Sequence, residues 1–160
     1  MGMCMLLIAG CGTKKPEGIP TLYPAQVTVT NGASPIADAT VFLVPQGTTG
    51  GSWSAICVTN ASGVATITTS QGDWKSNGAP EGTYKIYITK KPEVHQDPLP
   101  ENLQNDSDAI EKHSTEYLRL LQNAPKIIPE KLTSPASSPL TLTVSTSGAA
   151  ELAVDVSEHK

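Results

Sequence analysis

A chain of 160 residues is long enough for one domain with a real core and too short for two full ones. Its 15 acidic against 11 basic residues give a net charge of −4, which excludes electrostatic attraction to nucleic acid as a basis for function. Only 16% of residues are charged while Thr, Ser, Gly, Pro and Val abound, so strands and turns are favoured over helices and an all-β body is expected.

Residues 2–10 carry no charge and are too few to cross a bilayer as a helix, which takes about 20 apolar residues. The small residues Ala9 and Gly10 suit a peptidase that fits an extended backbone into a narrow site, and the thiol of Cys11 follows directly for acylation. Ile8-Ala9-Gly10-Cys11 resembles a bacterial lipobox. The resemblance implies that 1–10 is a lipoprotein signal peptide and that Cys11 is lipidated and becomes the mature N-terminus. It also makes 11–25, with Lys14, Lys15, Pro16, Gly18 and Pro20, a polar tether from the membrane. No Lys or Arg precedes Cys11, where a secretory signal ordinarily has a basic stretch, so the signal is either truncated at its start or marginal. N-myristoylation is discarded because position 6 is Leu rather than Ser or Thr. Of Cys4, Cys11 and Cys57, only Cys57 would then stay unmodified, which leaves no intramolecular disulfide. In the apolar run 53–58 it reads as a buried small hydrophobe.

The body is expected over 26–157. "QVTVTNG" alternates Val27 and Val29 with threonines and ends in an Asn31-Gly32 turn, the pattern of a half-buried strand. "TVFLV", between Pro35 and Pro45, is apolar on both faces and predicts a central strand covered on two sides. "SWSAICVT" and "VATITT", separated by "NASG", predict a hairpin, and "QGDWKSNGAPEG" predicts a loop. "TYKIYITK" places Tyr84, Ile86 and Ile88 on one face and is the clearest amphipathic strand. From 91 to 138 six prolines break the pattern, which predicts a peripheral insertion with a helix over about 108–122. "PLTLTVS" and "AELAVDV" then predict a C-terminal hairpin. Some seven strands without βαβ spacing point to an antiparallel β-sandwich, with a barrel as the alternative.

Three stretches resemble the carboxypeptidase regulatory-like family of transthyretin-type, or prealbumin-like, sandwiches. They are Pro35-Ile36-Ala37-Asp38-Ala39-Thr40-Val41, Thr59-Asn60-Ala61-Ser62-Gly63 and Gly82-Thr83-Tyr84, within residues 26–90. The resemblance implies a seven-stranded transthyretin-like or Ig-like sandwich that accompanies enzymes without being one. More widely, "GIPTLYPAQVTV", "GDWKSNGAPEGTY" and "IIPEKLTSPASSPLTLTV" are similar to stretches of small secreted lipoproteins of planctomycete-like bacteria. That likeness implies an exported, membrane-anchored protein of the bacterial cell envelope, on its periplasmic or cell-surface side.

Catalytic chemistry finds little support in the residues. His113 and Glu116 form a His-x-x-Glu pair of the kind zinc carboxypeptidases use, but His95 and His159 are not placed to supply a third ligand, so no metal, no cofactor and no catalytic residue is expected. An intramolecular Lys–Asn bond lacks its lysine on the first strand, and Asp155 reads as solvent-facing. A transthyretin-like hydrolase needs a basic site, for which the single Arg119 does not suffice. Trp53 reads as core. Trp74, among Gly72, Asp73, Lys75 and Asn77, reads as a loop residue able to meet a ligand. The expectation is therefore a non-catalytic envelope lipoprotein with a structural or interaction role, partnered with the membrane through Cys11 and with an envelope protein or polysaccharide. The alternative is a surface module that binds carbohydrate or peptide through the loops near Trp74.

Overall fold

The computed structural model describes residues 14–47 and 51–159, so the lipobox-like segment and Cys11 lie outside the described residues. In chain order the first six strands are β1 (Leu22–Tyr23), β2 (Ala25–Asn31), β3 (Ser34–Pro35), β4 (Thr40–Pro45), β5 (Ser54–Val58) and β6 (Val64–Thr66). Then come β7 (Thr68–Gln71), β8 (Trp74–Asn77), β9 (Ala79–Pro80), β10 (Gly82–Thr89), helix α1 (Ser107–Asn123), β11 (Thr141–Val144) and β12 (Ala150–Asp155). One sheet runs β11-β10-β4-β5-β7-β8 and is antiparallel throughout. A second holds β12 on one side of β2 and β3 and β6 on the other, and β1 pairs with β9. β12 runs parallel to β2, in register from Ala150↔Ala25 to Asp155↔Thr30.

Period-two alternation explains why these sheets face each other. Val27 and Val29 of β2, Ala65 of β6 and Val154 of β12 point inward from one sheet. Val41, Leu43, Tyr84, Ile86 and Ile88 point inward from the other, and all belong to one buried cluster. Each fully buried Ile or Val contributes about 1.5–3 kcal/mol relative to exposure. Trp53 joins them as expected, edge-on to Tyr84 with ring centroids 6.3 Å apart. The Tyr84 hydroxyl donates to the Pro80 carbonyl four residues upstream at 2.7 Å, a buried strap of the tyrosine-corner kind at the start of β10.

Several expectations are corrected. The fold is mostly β, but among the described residues there are twelve strands rather than seven. "VATITT" is two strands, because Ile67, buried between them, carries the chain from one sheet to the other. β5 therefore pairs with β7, not β6. The turn-rich stretch after β7 is a strand too: β8 closes a tight hairpin on it, Gln71↔Trp74. The C-terminal hairpin does not form, since β11 pairs with β10 and β12 with β2, in different sheets. β4 is central within its sheet but covered on one face only: Val41 and Leu43 are buried while Val44 is exposed. The later part of 11–25, expected as a polar tether, belongs to the body instead, because Ile19 is buried and β1 pairs with β9.

The stretch 91–138 also divides. Its first part is peripheral: α1, N-capped by Asp106 whose side chain accepts from the Asp108 and Ala109 amides, buries no residue. Its last part is not peripheral, because Ile128 and Leu132 are members of the core cluster and Ser138 is buried. Apolar anchors at 128 and 132 override the prolines that suggested an insertion.

Candidate functional site

The expected site residues do not assemble. Trp74 opens β8, shares the inward parity of Ser76 and Thr69, and is only 9% exposed, so it offers no aromatic platform to a ligand. The loop reading failed because a two-residue Gly72-Asp73 turn leaves Trp74 inside the hairpin. His113 and Glu116 have other partners. His113 Nε2 lies 2.9 Å from the Asp97 carbonyl, and Glu116 holds Arg119 through two bonds of 2.6 and 2.8 Å that push its carboxyl below the usual range. Among the described residues no three His, Cys, Asp or Glu side chains stand close enough to hold a metal ion. Cys57 is buried on the inward face of β5, and burial pushes its thiol up to about 12.

The family-like motifs meet, and their work is structural. Thr59, buried, accepts from the Ala39 amide at 2.9 Å and donates to the Ile36 carbonyl at 2.7 Å, tying the Pro-Ile segment to the Thr-Asn turn. Asn60 Oδ1 accepts from the Ser62 and Val64 amides within that turn. Gly63 closes it at φ +74°, where a Cβ would stand 2.5 Å from the Val29 carbonyl oxygen. Asp38, at φ +55°, donates its amide to the Thr59 carbonyl, so its left-handed backbone is held by the same knot. Asp155 is not merely solvent-facing. Its carboxylate accepts from the Gly32 amide at 2.8 Å and from Ser157, which lowers its pKa and pins β12 to the β2–β3 turn.

Several clefts and one open face remain among the described residues. One cleft, of about 240 Å³, lies between the end of β10 and residues 125–133. Its buried cation, Lys90, is already held by the Ala37 carbonyl and Glu93, both at 2.9 Å.

The face is the outer side of the six-stranded sheet. Tyr87, Phe42 and Ile56 lie directly opposite one another on β10, β4 and β5, with Val44 and Val58 in the neighbouring rows. Phe42 and Tyr87 stack with centroids 4.5 Å apart and planes within 2°. That separation matches the spacing of adjacent strands, so the rings stand on edge and use their faces on each other. Val44 and Ile56 are each 37% exposed and Val58 is 55% exposed. Hydroxyl pairs rim this centre: Ser54 with Ser70 at 3.1 Å, and Thr83 with Thr143 at 3.3 Å. The outward positions of these six strands include Lys75 and Lys85 and no Asp or Glu. The outer side of the other sheet differs, with Gln26, Thr28, Glu151 and Asp155 among its outward residues.

Sequence reading missed this face because both-sided apolarity in "TVFLV" and "AICV" normally signals a covered strand. A signal was present: with a single predicted helix, little in the chain could cover a second face. Comparison with protein-family models, with curated proteins and with solved structures finds no match.

Proposed function

We propose that this chain is a non-catalytic, lipid-anchored protein of the bacterial cell envelope that works by contact, through the outer face of its six-stranded sheet. The observation that carries the contact role is the centre of Phe42, Tyr87, Ile56, Val44 and Val58, which stays open to water on a face free of acidic side chains. Contiguous apolar surface of this kind marks interaction sites, whereas scattered apolar residues do not. Phe42 and Tyr87 each turn one ring face to the other, and the centre presents ring edges and aliphatic side chains outward, which suits a flat protein surface.

Anchoring rests on Ile8-Ala9-Gly10-Cys11 and the polar segment behind it. It is supported by where that segment joins the body: β1 pairs with β9 at the end of the sheet where β10 begins. The reading takes the body as a transthyretin-type sandwich like those of the carboxypeptidase regulatory-like family. The knot of Ile36, Ala39, Thr59 and Gly63 and the Tyr84 strap support it, since all three family-like stretches serve packing.

The anchor is tested by expressing the full chain in a bacterium and measuring the mass of its N-terminal peptide from the membrane fraction. A diacylglyceryl group on Cys11 is expected, with Cys11→Ser leaving the membrane. Unmodified Met1 on soluble protein of the cytoplasm contradicts it. Elemental analysis of the same protein should find no stoichiometric zinc.

A further inference from the structure

Among the described residues two surfaces stand uncovered, and they match each other. The first is the outer face of the six-stranded sheet, apolar at its centre and bearing Lys75 and Lys85 without an acid. The second is α1, which buries none of its residues and leaves Ile110 43% and Leu118 57% exposed. Ile110, Leu118 and Leu121 fall on neighbouring helical positions and form one apolar edge. The chain leading into this helix is strongly acidic: from 92 to 111 there are six Asp and Glu and no Lys or Arg. Lengths agree as well. A 17-residue helix spans about 25 Å, and six strands side by side span about the same.

We propose that α1 of one copy lies across the outer face of the six-stranded sheet of a second copy. Ile110 and Leu118 then cover Phe42, Ile56 and Val58, and the acidic start of the helix comes beside Lys85 on β10, while Lys75 stands at the far edge of the sheet on β8. This deepens the contact role proposed above and rests on it, while being independent of the anchor. Within one chain the helix is held off its own sheet. Gln96 donates to the His113 carbonyl at 2.9 Å, the His113 ring meets Asp97, and Ile128 and Leu132 fix the chain that follows. Pairing of two sheet faces would oppose lysines with no acid between them, which disfavours that arrangement. Helix-on-sheet contact uses two different surfaces, so it is heterologous and extends along a row of copies. Anchoring in one membrane would align such a row. Tyr87 and Val58 lie near the end of the sheet from which the chain leads out to α1, so copies standing side by side bring helix and face to one level.

Sedimentation velocity of the full chain carrying Cys11→Ser tests the proposal without needing lipid, so a failed anchor leaves the result readable. Expected is a mass that grows with concentration, and its loss in both Ile56→Asp and Leu118→Asp. Both substitutions fall at exposed positions, and Val58→Asp replaces the first if Ile56→Asp unfolds. An equimolar mixture of the two variants should form a heterodimer and nothing larger, because one retains its helix and the other its sheet face. A wild-type chain that stays monomeric at every concentration overturns the proposal. So does a Leu118→Asp variant that associates like wild type, or a mixture that gives no heterodimer.

Discussion

Thr59 shows how much of this fold hangs on single polar groups. Its hydroxyl serves the Ala39 amide and the Ile36 carbonyl in a site that is 2% exposed, so Thr59→Val strands both. Leaving such groups unpaired costs about 1–3 kcal/mol, and urea denaturation should show a loss of that size, with Thr59→Ser retaining most of the stability. Asp155 makes a pH-dependent contribution of the opposite visibility, at the surface. Its folded pKa is lowered, first by the Gly32 amide and then by Ser157, so its stabilisation is present above the ordinary carboxylate range and is lost as pH falls through the folded value. Wild type should therefore melt above Asp155→Asn at neutral pH, and the gap should shrink in acid. Cys57 is the third residue-scale test. With burial pushing its thiol up to about 12, a maleimide should not label it in the folded chain at pH 8 and should label it fully in denaturant, as peptide mass spectrometry would read.

At the scale of elements, alternation made β2 and β10 legible, because each buries one face and period two leaves few ways to do so, whereas β4 and β5 were legible as strands but not in the face they leave open. Tyr84, Ile86 and Ile88 are all buried where "TYKIYITK" placed them. Pairing was less legible. Nothing local tells β11 to bond to β10 while β12 runs parallel to β2, since both follow from where the core lies rather than from the turn between them. The 91–138 stretch was half legible: its prolines predicted irregular chain, but the role of Leu132 depends on a cavity made by other strands. Leu132→Ala should cost about 2–5 kcal/mol in chemical denaturation, as for a fully buried leucine. Replacing residues 101–124 by a short Gly/Ser link should shift the transition only modestly, because α1 buries nothing. Loss of cooperative unfolding in that deletion would place α1 in the core.

Across the whole molecule the two ends of the body differ. The N-terminal segment joins where β10 begins, and the stretch holding α1 leaves where β10 ends, about 25 Å away along eight residues of strand. Between these ends stand the outer faces of the two sheets. Those faces are chemically unlike, one apolar with lysines and one polar with acids, and this asymmetry was hidden from sequence until register assigned each residue a side. Neither Trp74 nor His113 and Glu116 contributed to it, since the first is buried in a hairpin and the others pair with near neighbours. The contact role of the lysine-bearing face is tested most directly by a photo-crosslinking amino acid placed at Ile56 and, separately, at Ala153 on the outer side of the other sheet, in intact cells. Strong adducts at position 56 that contain a second copy of this chain, with little at 153, are the expected result. Equal adducts at both positions, or none at 56, would contradict it.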